Sequence, residues 1–166
     1  MLRDSGVDPK AKRNLTETRD PDVDIETCLP WGMQVRSGEG VSIWKAVSDA
    51  KIGKRRRDKR WALGIVFETR PAGKRKGNPP YPPFVVLAIE DFVEFVDDIP
   101  ADCATSFEVT EVHKAIPAVK HLIRDSVRGE GSPEVFLIEL KEKPLVVALE
   151  ANLFLEMVKC WLKNKA

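Results

Sequence analysis

Apolar residues along this chain fall into short runs that predict an alternation of strands and helices. Residues 61–69 (WALGIVFET) are a continuous apolar run of strand length, and residues 84–89 predict a second buried strand. Residues 33–36 predict a shorter one. Between them, Ile43, Val47 and Ala50 recur with helical spacing behind Ser42, a residue type that caps helix N-termini, so a helix should start there and end near Gly53. The segment RPAGKRKGNPPYPP (70–83) breaks both helix and ladder with its prolines and glycines and reads as a loop. Asp91 is the expected cap of a short helix carrying Phe92, Val93, Phe95 and Val96.

The second part of the chain repeats this order more weakly. Strands are expected over 106–109 and 134–140. His113-Lys114-Ala115-Ile116 echoes Trp44-Lys45-Ala46-Val47, Pro144-Leu145-Val146-Val147 echoes Pro83-Phe84-Val85-Val86, and Asn152-Leu153 stands where Asp91-Phe92 did. The echo fits an internal duplication, an internal pseudo-dimer in place of a homodimer, and equally the general likeness of α/β units. The fold class expected is α/β, in two parts: residues 1–99, and residues 100–166 as a second, related α/β half.

Composition narrows the classes. With 166 residues and 43% hydrophobic content the chain can close a core. No run of eighteen apolar residues and no apolar leader occurs, so neither membrane span nor secretion is expected, and the cytoplasm is the expected location. Cys28, Cys103 and Cys160 are odd in number, far apart and without a Cys-x-x-Cys pair, which reads as three buried thiols. His113 and His121 are expected to be structural.

Net charge of +1 conceals an asymmetry. Residues 1–76 carry 18 basic and 11 acidic side chains, about +7, and residues 77–166 carry 9 and 15, about −6. Lys51, Lys54, Arg55, Arg56, Arg57, Lys59 and Arg60 form one cationic cluster, and Lys74, Arg75 and Lys76 a second. With Lys12 and Arg13 they offer a surface for a polyanion, each neutralised phosphate adding salt-sensitive affinity. A solvated loop or a partner-binding tail explains the same charges. Trp44, Trp61 and Tyr81 lie near the clusters and could stack on bases or belong to the core.

Candidate chemistry lies between residues 22 and 36. Asp22, Asp24 and Glu26 are hard oxygen donors one strand upstream of Gln34 and Arg36, which alternate onto one strand face. Carboxylates with a nearby cation suit a Mg²⁺ or Mn²⁺ site for phosphodiester cleavage. An acidic surface turn before a strand accounts for the same residues.

Arg13-Asn14-Leu15, Asp22-Val23-Asp24, Gln34-Val35-Arg36, Trp44-Lys45-Ala46, the WALGIVF run, Val86-Leu87 and Asp91-Phe92 together resemble the phage and prokaryotic Holliday-junction-resolvase-like nucleases of the PD-(D/E)xK superfamily. The resemblance spans residues 11–97. It implies a restriction-endonuclease-like central mixed sheet flanked by helices, DNA, including branched DNA, as partner, and metal-dependent endonuclease activity. Asp24, or else Asp22, matches the metal-binding aspartate, Gln34 the next ligand, and Arg36 the lysine position. Arginine there keeps its proton and presents a planar fork, so it suits phosphate binding better than water activation. A degenerate, noncatalytic nucleic-acid-binding or protein-interaction module is the alternative.

Overall fold

In the computed structural model, the described residues are all except 14–24, 38–41, 69–70, 72, 104, 114–118 and 166, and the side chain of Arg13. The strands are β1 (Lys12–Arg13), β2 (Ile25–Glu26), β3 (Trp31–Ser37), β4 (Trp61–Phe67), β5 (Phe84–Ala88), β6 (Glu108–Val112), β7 (Glu134–Ile138) and β8 (Val146–Glu150). The helices are α1 (Ile43–Arg56), α2 (Ile89–Asp97), α3 (Val119–Arg128) and α4 (Ala151–Lys163). All eight strands form one mixed sheet in the order β1-β2-β3-β4-β5-β8-β7-β6. The expected α/β class is therefore met by a single central sheet with helices on both faces.

Strand alternation sorts the core into two layers. Trp31, Met33, Trp61, Leu63, Val85 and Leu87 point to the face covered by α2 and α4, where Phe95, Phe154 and Trp161 meet them. Val66, Phe84, Val86, Phe136 and Ala148 point to the face covered by α1 and α3, against Ala46, Val47 and Ile123. A strand buried on both faces needs apolar residues at every position, which is why β5 reads FVVLA without alternation. The first core layer draws on residues before and after position 100, so the two parts share one sheet and one core.

The order strand-helix-strand-strand-helix occurs twice, as β3-α1-β4-β5-α2 and β6-α3-β7-β8-α4. The units join edge to edge through antiparallel β5 and β8, whose register pairs Phe84 with Glu150, Val86 with Ala148 and Ala88 with Val146. Matching bonds close the two ends of this pair: Ala151 N–H to Pro83 O at 3.0 Å and Ile89 N–H to Leu145 O at 3.3 Å. Pro83 and Leu145 thus hold equivalent places, one residue away from the echo visible in the sequence. His113 precedes α3, whereas Trp44 lies inside α1, and the rest of that echo, 114–118, falls outside the described residues.

Several local expectations shift for physical reasons. Ser42 caps α1 by accepting the Lys45 N–H, but the helix runs past Gly53 to Arg56. Its end is set by Asp58, in the left-handed region at φ 49°, and by Lys59 N–H bonding back to Lys54 O at 2.9 Å. At Gly32 a Cβ would come within 2.6 Å of the Lys54 backbone nitrogen, so glycine there lets α1 lie close on β3. Asp91 does not cap α2. The cap position is Ala88, and Asp91 lies buried in the first turn. The loop after β4 contains a 3₁₀ turn, Gly73–Arg75.

The cysteines also differ from expectation. Cys28 is exposed, and Cys103 and Cys160 form a disulfide with their Cα atoms 5.5 Å apart. Fifty-seven residues separate them in sequence, but the turn after α2 lies along α4, and that proximity is a tertiary fact.

Candidate functional site

The β3 face that turns toward α1 carries Gly32, Gln34 and Arg36, as alternation predicts. Gln34 is 1% exposed, and its Nε2 has no hydrogen-bond partner. A buried amide donor left without a partner among the described residues is costly. Arg36 Nη2 lies 2.6 Å from Asp49 Oδ2, and Lys45 Nζ reaches the same oxygen at 3.6 Å. Asp49 shares the inward stripe of α1 with Ala46, Val47, Ala50 and Gly53. A carboxylate at a buried helical position was the sequence signal for this partner.

Parallel pairing aligns β3 with β4 from Trp31–Trp61 to Ser37–Phe67, so both strands end together. Beyond those ends lies a cleft of ≈1150 Å³, lined among others by Leu2, Arg3, Lys12, Ile25, Arg36 and Phe67. The carboxyl ends of parallel strands in an open α/β sheet are the usual location of ligand crevices. β2 runs antiparallel to β3 with Ile25 opposite Met33, so its first residue stands one position short of Gln34. Asp22 and Asp24 lie outside the described residues, in the segment joining Arg13 to Ile25. Glu26 pairs with Lys12 at 2.9 Å, which makes that carboxylate part of the β1–β2 contact.

The two cationic clusters separate. Helix α1 returns the chain to the start of the sheet before β4, so residues 51–60 lie at the end opposite Arg36, about 20 Å away over a seven-residue strand. There the acidic side chains of α2 and its C-terminus engage three of them. Lys51 pairs with Glu90 at 3.1 Å and Lys54 with Asp91 at 2.7 Å, while Arg60 bonds Glu94 at 2.7 Å and Asp98 at 2.8 Å. Asp91 also accepts the Ala62 N–H at 2.9 Å, and Lys59 donates to the carbonyls of Thr27 and Leu29. These four cations hold the fold together. Arg55, Arg56 and Arg57 remain on the exposed surface.

Lys74, Arg75 and Lys76 follow β4 and stand at the cleft end. Arg75 Nη1 bonds both oxygens of buried Glu68 at 2.7 and 2.8 Å and packs 3.5 Å over the Tyr81 ring. Burial by itself would raise the Glu68 pKa, but the bonds from Arg75 and the Tyr81 N–H outweigh it and hold the carboxyl below its usual range. Tyr81 OH contacts His121 at 3.1 Å. The aromatic candidates for stacking are thus occupied: Trp61 is fully buried, Tyr81 lies under Arg75, and Trp44 Nε1 donates to Pro144 O at 3.3 Å. His113 stands between Glu111 and Glu139, at 3.1 and 3.0 Å.

Among the described residues no three His, Cys, Asp or Glu side chains gather as a metal-binding group. Gln34 offers one neutral oxygen, and Asp49 is taken by two cations. The described residues therefore do not make a Mg²⁺ or Mn²⁺ site by themselves, since such ions need several hard oxygen ligands. No helix of the described structure is long and apolar enough to cross a membrane. Comparison with protein-family models, with curated proteins and with solved structures finds no match.

Proposed function

We propose that the chain is a DNA-binding protein of restriction-endonuclease-like fold that engages the phosphate backbone at the cleft end of its sheet. The observation that carries this reading is the cleft at the paired ends of β3 and β4, with Arg3, Lys12 and Arg36 on its wall and Lys74 and Lys76 on the loop that follows β4. A mixed sheet flanked by helices, with α1 crossing between parallel β3 and β4, supports this reading at the level of the α/β class. The symmetric β5–β8 junction supports reading the second half as a duplicated unit that makes an internal pseudo-dimer. Arg55, Arg56 and Arg57, at the far end, add to the long-range field that attracts DNA rather than to the cleft contact.

Cleavage depends on Asp22 and Asp24. With Gln34 they would hold a divalent ion, which supplies an activated water and neutralises the scissile phosphate. The pairing of Arg36 with Asp49 favours the second reading, a noncatalytic DNA-binding module, because a guanidinium held by a carboxylate can anchor phosphate but does not orient water as a lysine would. Incubating four-way-junction and duplex DNA with Mg²⁺ or Mn²⁺ separates the two. Metal-dependent cuts that disappear in Asp24→Ala establish a nuclease. Salt-sensitive binding without cuts establishes the module, and no retention of either DNA overturns both.

A further inference from the structure

One row of residues crosses the sheet: Val35 pairs with Ile65, Ile65 with Val85, Val85 with Leu149, and Leu149 with Val135. The start of β7 is therefore level with Arg36, and Glu134 N–H bonds the Ser126 hydroxyl at 3.3 Å. That bond fixes the C-terminal turn of α3 at the cleft end of the sheet. The C-terminal half is acidic as a whole, but α3 carries Lys120, Arg124 and Arg128 at four-residue spacing, a ridge of cations about 6 Å apart along one helix face. The ridge meets the 74–76 loop around Tyr81. Arg75 packs over the ring at 3.5 Å, Arg124 lies 5.6 Å from its centroid, His121 contacts its hydroxyl, and Lys120 lies close enough to Glu68 to favour its ionised form. Arg75, Lys120 and Arg124 thus meet at this junction, and Lys74, Lys76 and Arg128 stand on the same two segments. The carboxylates bonded within the group are Glu68, to Arg75, and Asp125, to Arg124.

From this juxtaposition we infer that α3 is the second arm of the DNA contact, so that a duplex lies across the cleft end from Arg36 and the 74–76 loop to Lys120, Arg124 and Arg128. The inference rests on the DNA-binding reading and extends it to residues of the second half. Three to four strand spacings separate β3, which carries Arg36, from the β8–β7 region under α3, roughly 15–20 Å, enough for Arg36 and α3 to reach separate phosphates, with the 74–76 loop meeting α3 between them. The contact reads backbone rather than bases. The Tyr81 ring is covered by Arg75 and its hydroxyl is engaged by His121, which leaves guanidinium and ammonium groups to face the ligand. Affinity should then depend strongly on salt and weakly on sequence.

The test is fluorescence anisotropy of labelled duplex DNA across a salt series. It compares wild type with Lys120→Ala/Arg128→Ala, with Lys74→Ala/Lys76→Ala, and with Lys141→Ala/Lys143→Ala, an equal loss of charge on the β7–β8 connection at the other end. Thermal melts confirm that each variant is folded. Loss of two phosphate contacts should lower the salt slope by about 2, near 0.9 per phosphate, with affinity reduced on every sequence tried. The Lys141/Lys143 variant should match wild type. If the 74/76 variant weakens binding while the Lys120/Arg128 variant does not, or if the remote control weakens it as much, α3 is not an arm of the contact and the DNA-binding reading stands without it. If wild-type protein shows no affinity at near-physiological salt, both fall together.

Discussion

Buried carboxylates decide much of what the individual residues do. Asp8 is almost fully buried and accepts bonds from the Thr27 hydroxyl and from the Cys28 and Lys10 N–H groups, at 3.0 Å each for the last two, so it ties the N-terminal segment to the β2–β3 turn. Burial alone would raise its pKa, but these bonds outweigh it and keep the carboxyl below its ordinary value. A carboxyl depressed in the folded state contributes stability that is complete above the unfolded pKa, near pH 4, and is lost as pH falls through the folded value. Asp8→Asn should therefore be less stable than wild type at pH 7 by about 1–2 kcal/mol, with the gap closing toward pH 3. Urea unfolding at pH 7, 5 and 3 checks this, and a gap that widens on acidification would refute it. At this scale the sequence showed which residue types were present but not their partners. Gln34 and Arg36 were legible as sharing a strand face, because alternation is local. Asp49, Glu68 and Asp8 were missed because a carboxylate's partner is set by tertiary contact.

At the scale of elements, local chemistry was legible wherever it acts alone. The apolar runs that became β4 and β5 and the Ser42 cap of α1 came directly from pattern. The exceptions have tertiary causes. Gly53 does not stop α1, which runs three residues further to Arg56 before the left-handed Asp58 turns the chain, and Asp91 leaves the cap position to bind Lys54 and the Ala62 N–H. The Cys103–Cys160 bridge is a further instance, since it fastens the turn after α2 to α4 across the boundary between the two units. Closing a loop of that length constrains the unfolded chain, so Cys160→Ser, or reduction of wild type, should lower stability by about 2–4 kcal/mol. Calorimetry with and without reductant measures it. A melting temperature indifferent to reductant in wild type would mean that the bridge does not form in solution.

For the whole molecule, what matters is which end of the sheet each charge occupies. In the sequence both cationic clusters stand near the acidic segment, yet the β3-α1-β4 crossover carries residues 51–60 to the far end and leaves 74–76 at the same end of the sheet as Arg36. Part of the apparent basic surface is then neutralised in place, as Lys51, Lys54 and Arg60 pair with carboxylates of α2 and its C-terminus. The surface proposed for a polyanion spans both units at one end, Arg36 and residues 74–76 in the first and α3 in the second. The repeated order of strands and helices was legible in the sequence, but the register between the two units and their edge-to-edge joining through β5 and β8 were not, because strand order is a long-range property. The most direct measurement is amide hydrogen exchange of the full chain with and without four-way-junction DNA. Binding at the cleft end should slow exchange in the C-terminal residues of β3 and β4, around 73–77 and in the last turn of α3, and leave 54–60 unchanged. Protection confined to 54–60, or none anywhere at saturating DNA, would contradict the account.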